Sequence, residues 1–195
     1  MGRPREFDRD QALRGAMRLF WRTGYNGTST STLTRALGIG QQSLYSAFGS
    51  KRKLYLEALG RYQEESTAAH IERLSAPASP VAGLRDLLGG VGSPDDEIRK
   101  LGCLGVASVN EFSTDDADLV AMREASNRTL RDAVVARVEE ARDACEIDPD
   151  ADPGEVAEII LTMMMGLQVA ARAGADLTSM RRTAHRTIDF LTRTP

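Results

Sequence analysis

Lys51, Arg52 and Lys53 stand in a row directly after Ser50, at the start of an expected helix, in the stretch "GIGQQSLYSAFGSKRKLY" that spans residues 38 to 55. A helix N-terminus carries partial positive charge and unpaired N–H groups. Three cations there oppose a bare helix, whereas an anion set against them meets N–H groups, dipole and ammonium together. The chemistry this spacing could perform is therefore phosphate binding. Just upstream, Gln41, Gln42, Ser43 and Ser46 share one short segment. Glutamine can pair bidentately with adenine N6 and N7, and serine can donate to or accept from several base edges. Tyr45 lies one turn in, where its hydroxyl could reach the same backbone. Arg3 and Arg5, in the arm "GRPR", could enter an adjacent minor groove or touch phosphates.

Other chemistries find no support. His70 and His185 are the only histidines, and neither belongs to a Glu-x-x-His pair or an HExxH motif. There is no GxSxG, P-loop or dinucleotide fingerprint. No catalysis, metal or cofactor is expected. Cys103 and Cys145 form no CxxC pair, which suits a reducing cytoplasm with each thiol acting as a small buried hydrophobe. The start "MGRPREFDRD" lacks an apolar signal core, and no run approaches the roughly 18 apolar residues of a membrane span. A cytoplasmic protein without a membrane partner is the expectation.

The elements that must position these groups are helical. An apolar fraction of 42% permits a proper core, and no alternating strand pattern occurs. Asp8 can cap a first helix carrying Leu13, Ala16, Met17 and Phe20 on one stripe, with Gly24 as its stop. "TSTSTLTRALG" gives a second helix, capped by Thr28 or Ser29, with Leu33, Ala36 and Leu37 inward. Gly38, Ile39 and Gly40 make the turn to a third helix, Gln41 to Phe48. That pair is the helix-turn-helix pattern, at about residues 29–48. A fourth helix follows over 51–74, and "SAPASP" (75–80) is a linker or a bend between packed helices. Further helices are expected after it, over 95–113, about 115–145, 153–174 and 177–192. The whole is all-α with about nine helices.

Charge divides the chain as the helices do. Residues 1–61 hold eleven Lys/Arg against four acids, a net +7, which leaves −10 for the remainder of a chain whose total is −3. A basic head on an acidic body is the footprint of a nucleic-acid-binding module joined to a differently employed domain.

With "LFWRTGYNGTS", "LTRALGI", "SLYSAFGSK" and "LYLEAL" on the page, the first 60 or so residues resemble the DNA-binding domain of the TetR family of bacterial transcription regulators (TetR/AcrR type). The resemblance implies a three-helix DNA-binding domain over residues 1–66 and a helical ligand-binding and dimerisation domain over 67–195. It implies a homodimer on a palindromic double-stranded operator, usually repressing, and released by a small-molecule effector. By position, Ser29, Tyr45 and Lys51 match the family's phosphate-contacting sites, and Gln41, Gln42 and Ser43 its base-proximal ones. With Arg3, Arg5, Thr28, Gly40, Ser46 and Ser50 they make the expected DNA-contacting set. Many members carry Ser at the position of Gly40, Gly at Gln42, His at Ala47 and Ala at Thr34. The operators of better-known relatives therefore do not transfer.

In the body, Val156, Ile159, Ile160, Met163, Met164, Leu167, Val169 and Ala170 cover more than one face of their helix, so two sides need burial. In the last helix Leu177, Met180, Ala184, Ile188 and Leu191 fall at near-heptad steps. Met180, Ala184, Ile188 and Leu191 are the expected dimer seam. Cys103, Asn110, Phe112, Met122, Asn127, Met163, Met164 and Leu167 are the expected pocket residues, with Glu111 and Arg123 as further polar candidates. The rival reading is an architectural DNA-binding protein whose C-terminal body only dimerises and takes no effector.

Overall fold

The computed structural model describes residues 7–112 and 116–192. Within them the chain forms ten helices and no strand. They are α1 (Arg9–Thr23), α2 (Thr30–Leu37), α3 (Gln41–Phe48), α4 (Lys51–Ser75), α5 (Pro80–Gly89), α6 (Asp96–Arg99), α7 (Leu104–Phe112), α8 (Ala117–Asp143), α9 (Pro153–Arg172) and α10 (Leu177–Leu191). Side-chain caps start them where the sequence places Ser or Asp. Ser29 Oγ accepts from the Thr32 N–H at 3.0 Å, Ser50 Oγ from Lys53 at 3.1 Å, and Asp152 from Glu155 at 2.8 Å. Each such cap contributes about 1 kcal/mol. The expected helix over 95–113 is in fact two. Gly102 takes φ 64, and a Cβ on it would stand 3.1 Å from the Gln168 carbonyl oxygen. The Leu101 carbonyl accepts from Arg172 Nη1 at 2.8 Å. The break lets α7 lie close to α9.

Two cores are strung along α4. The head core joins Leu13, Ala16, Phe20, Leu33, Leu44 and Tyr55, and is completed from the body by Leu104 of α7 and Leu119 of α8. The body core joins Leu84, Leu87 and Leu88 of α5, Val134 and Val138 of α8, and Ile160 of α9. α4 contributes Leu54, Ala58 and Leu59 to the first and Leu74 to the second, so residue 66 falls within one unbroken helix. "SAPASP" is a bend, since α5 folds back against α4.

Met180, Ala184 and Ile188 lie inside the protomer at 3% exposure or less, and Leu191 packs against the same core. This corrects the expected dimer seam: the near-heptad stripe is α10's inner face. Ala36, expected inward, is exposed. Neither cysteine is fully buried, Cys103 being intermediate and Cys145 exposed. α9, 20 residues long with a mean hydropathy of 1.3 over its most apolar stretch, is long and apolar enough to cross a bilayer by length and composition. Its Ala157, Ile160, Met164, Leu167 and Ala171 face the body core, against α8 and α10.

Candidate nucleic-acid interface and the cavity behind it

The turn between α2 and α3 works because Gly38 adopts the left-handed conformation, φ 66, and donates its N–H to the Thr34 carbonyl. Leu33 and Leu44, both without exposed surface, lock the two helices at a fixed angle. α3 then presents Gln41, Gln42, Tyr45 and Ser46 to solvent, with Ser43 half-buried. Gly40 begins the helix without a side-chain cap. Nothing bulky obstructs this short, amide-rich helix from entering a major groove.

The flanking groups are less uniform than their sequence suggests. The Lys51 ammonium sits 4.0 Å over the centroid of the Tyr25 ring, and Lys53 is exposed. Arg52 departs from the expectation for its triplet: it pairs with Asp116 at 2.9 Å and Asp118 at 2.8 Å, tying the start of α4 to the start of α8. Ser29 is exposed, with its Oγ shared among Ser31, Thr32 and the helix N–H. Ser50 is a half-buried cap. Thr28 is a correction. It has no exposed surface, and its hydroxyl donates to the Gly24 carbonyl at 2.5 Å beside Thr23 Oγ1, so its side chain shapes the turn and does not face outward. Arg3 and Arg5 lie outside the described residues.

Several head cations are neutralised internally. Arg9 grips Glu57 with two bonds of 2.6 and 2.8 Å. Asp10 takes Arg14 at 2.9 Å and Arg61 at 2.6 Å, which together hold its carboxyl below the usual range, and Arg61 also reaches Glu65. Among the described residues, Arg18, Arg22, Arg35, Lys51 and Lys53 form no ion pair, and these keep the head's positive field unspent.

Behind the head, α4, α7, α8 and α9 line a half-open cavity of about 880 Å³. Of the residues expected at a pocket, Cys103, Asn110, Asn127, Met164 and Arg123 line this space. The other expected pocket residues do not. Phe112 stacks in the head core, 5.1 Å from the Tyr25 ring and 5.4 Å from Tyr55, and Met122 packs there too. Met163 and Leu167 belong to the body core. Glu111 turns to the head, accepting from the Tyr25 N–H at 2.8 Å and the Asn26 N–H at 3.1 Å. The sequence reading missed a polar stripe on α4: Gln63, Ser66, Thr67 and His70, spaced i, i+3, i+4, i+7, all face the cavity. That spacing on a helix otherwise flanked by two cores was the available signal. A second cavity of about 570 Å³ shares Tyr62, Ser66, His70, Cys103 and Gln168 as a common wall.

His70 stays neutral at pH 7. Burial, then the nearby Arg73, pushes it down to about 4, while Arg73 Nη1 lies 3.3 Å from its Nδ1 and Ser66 Oγ 3.4 Å from its Nε2. The folded pKa lies below the unfolded value, so stability is whole above about pH 6.5 and falls as pH drops towards 4, by up to about 3 kcal/mol. Urea melts at pH 7 and pH 4.5 should show this loss, and His70→Gln should remove it. A wild-type difference no larger than the variant's would refute it. Burial, then Cys103, likewise pushes the Tyr62 hydroxyl up, so it remains protonated. Among the described residues, no three His, Cys, Asp or Glu side chains converge as a metal site would require.

A helix-turn-helix head fused through one long helix to a helical body with a half-open cavity defines a DNA-binding transcription regulator of two-module type. Residues 12–58 match the model of bacterial regulatory proteins of the tetR family, and residues 90–187 match the tetracyclin repressor-like C-terminal domain. The chain belongs to the TetR family of bacterial transcription regulators, which are not enzymes. It is 35% identical over 179 residues to the HTH-type transcriptional regulator YezE of Bacillus subtilis (strain 168), covering 91% of this chain and 92% of that one. It is 32% identical over 196 residues to the HTH-type transcriptional repressor ComR of Escherichia coli (strain K12), covering 96% and 90%. Among solved structures, a cysteine mutant of the TetR family regulator CifR, complexed with 26-bp double-strand operator DNA, superposes with a TM-score of 0.75 at 31% identity, covering 96% of this chain and 98% of that one.

Proposed function

We propose that this protein is a homodimeric, cytoplasmic transcriptional repressor that reads a palindromic operator through α3 and releases it when a small molecule enters the body cavity. The observation that carries the reading is the exposed polar face of α3, Gln41, Gln42 and Ser46, backed by Lys51 and Lys53, which form no ion pair among the described residues. Residues 1–66 read DNA, and residues 67–195 dimerise and take the effector. ComR, a repressor by name, and CifR, solved on its operator, support the assignment.

The face for a second copy is the outer side of α9 and α10, opposite the stripe first expected. Ile159, Thr162, Gly166 and Val169 line one helix, with Thr183, Thr187 and Phe190 on the next. Phe190 is 71% exposed, and a Cβ on Gly166 would meet nothing within 4 Å, so a neighbouring backbone could approach closely. Two such helix pairs make a four-helix interface whose two-fold axis matches a palindrome. Phe190→Arg should leave the helical content unchanged and convert the dimer to monomer in light scattering. An unaltered dimer mass would place the interface elsewhere.

Selection of genomic fragments with the purified protein tests the whole reading, followed by titration of the recovered site with a metabolite panel. One palindrome, lost on adding a compound, is the expected result. Tight, salt-sensitive binding without any preferred sequence would instead favour an architectural protein.

A further inference from the structure

Gln63 is the most informative residue in the cavity. It is 8% exposed, it lines the space of about 880 Å³, and its Oε1 has no hydrogen-bond partner among the described residues. A buried acceptor left unmade is costly, so a partner is expected there in the working state. Its neighbours on α4 are satisfied by one another or by α8. Thr67 Oγ1 lies 2.9 Å from Ser126 Oγ, and Ser66 Oγ lies 3.4 Å from His70 Nε2. Among the described residues, Gln63 Oε1 is the buried acceptor of this wall that is left without a partner.

The charges around the space cancel in sign. The α4 end, with Tyr62, Gln63, Ser66, Thr67 and His70, carries no formal charge at neutral pH, because burial holds the His70 imidazole and the Tyr62 hydroxyl in their neutral forms. The formal charges lie on α8 and α9, three of each sign, and one pair of them, Arg131 and Glu158, is joined at 3.2 Å. The walls between are apolar, including Val106, Val109, Leu161 and Met164. The six charges cancel, so the space offers a charged molecule no net counter-charge, and burying one beside the uncharged α4 side chains would be costly.

We propose that the cavity takes an uncharged, largely apolar organic molecule that donates an O–H or N–H hydrogen to Gln63 Oε1. This inference rests on the effector reading above, and it narrows the effector to one chemical class. The volume suits a molecule of drug-like size, and an apolar pocket with one or two placed polar groups fixes orientation through those groups. A ligand of the same shape without the donor leaves the acceptor unmade and binds more weakly.

Three matched probes separate the possibilities: 4-nonylphenol, its methyl ether 4-nonylanisole, and 4-nonylbenzoate, titrated into the full-length wild-type protein by calorimetry. The phenol is expected to bind about tenfold more tightly than the ether, the value of one hydrogen bond at this site, and the benzoate more weakly still. Gln63→Met keeps the side-chain length and removes the acceptor. It should make phenol and ether equivalent. Without any probe it should also melt about 2 to 4 °C higher than wild type, since the unmade acceptor is gone. Benzoate binding as tight as phenol overturns the uncharged class while leaving an effector cavity in place. A phenol preference that survives Gln63→Met overturns the role of Gln63, as does a variant that melts at or below the wild-type temperature. Failure of all three probes to bind overturns the proposal, and the operator titration with the metabolite panel then decides separately whether any effector exists.

Discussion

Lys51→Ala should weaken binding to the selected operator and to random duplex by the same factor, and should reduce the slope of log K against log salt by about one. The reason is local. Lys51 makes no ion pair among the described residues, so its charge is not spent within the protein. Its ammonium is held 4.0 Å over the Tyr25 ring, which itself packs at 5.0 Å against Tyr55 and 5.1 Å against Phe112. The cation is thereby fixed at the first turn of α4, where free N–H groups and the dipole add to it. Gln42→Ala should behave differently. It should lose about 1–3 kcal/mol on the operator alone and relax the preference at one base pair, leaving random duplex and the salt slope unchanged. Arg52→Ala supplies the control, because its guanidinium already faces Asp116 and Asp118 and should not alter the salt slope. Equal effects of the Lys51 and Gln42 changes on both DNAs would sink this division of labour.

That contrast between neighbours in one triplet shows where sequence reasoning reaches its limit. The helix-turn-helix was legible because every signal is local: the Ser29 cap, Gly38 at positive φ, and Leu33 and Leu44 at the spacing that packs two short helices. Lys51, Arg52 and Lys53 carry the same local signal, yet Arg52 is diverted by acids more than 60 residues away. The same holds for α10. Its near-heptad spacing states correctly that Met180, Ala184 and Ile188 are buried, but periodicity does not say against what, and the partner proved to be α5 and α9 of the same chain. Phe112 and Met122 were expected in the pocket. The fold takes them, with Leu104 and Leu119, to finish a head too small to close its own core. Gln63 was passed over for the converse reason. A polar residue on a connecting helix reads as solvated until the structure shows it 8% exposed.

Glu111→Ala should have the largest effect on the joint between the two modules. The carboxylate on the last turn of α7 accepts from the backbone N–H groups of Tyr25 and Asn26, in the turn that leads from α1 into the Ser29 cap of α2. Its removal leaves two donors unmade at a charge-assisted site, a loss of about 2 kcal/mol, which should lower Tm by about 4 to 8 °C. Gly24 is the complement of this contact. Its φ of 73 disfavours any side chain, and a Cβ there would stand 2.6 Å from Glu111 Oε1. Gly24→Ala should therefore destabilise through both backbone strain and displacement of the carboxylate. Part of its cost should vanish when Glu111 is already alanine. A double-mutant cycle measures that coupling directly, and amide exchange at Tyr25 and Asn26 reports the bond itself. Because α7 also walls the cavity through Val106, Val109 and Asn110, the same helix that lines the cavity holds the turn that sets α2 and α3. Operator affinity should accordingly fall in Glu111→Ala and recover in part in Glu111→Gln, which keeps one acceptor oxygen. Strictly additive costs for Gly24→Ala and Glu111→Ala, with unchanged exchange at the two amides, would show that the carboxylate does not hold the turn in solution.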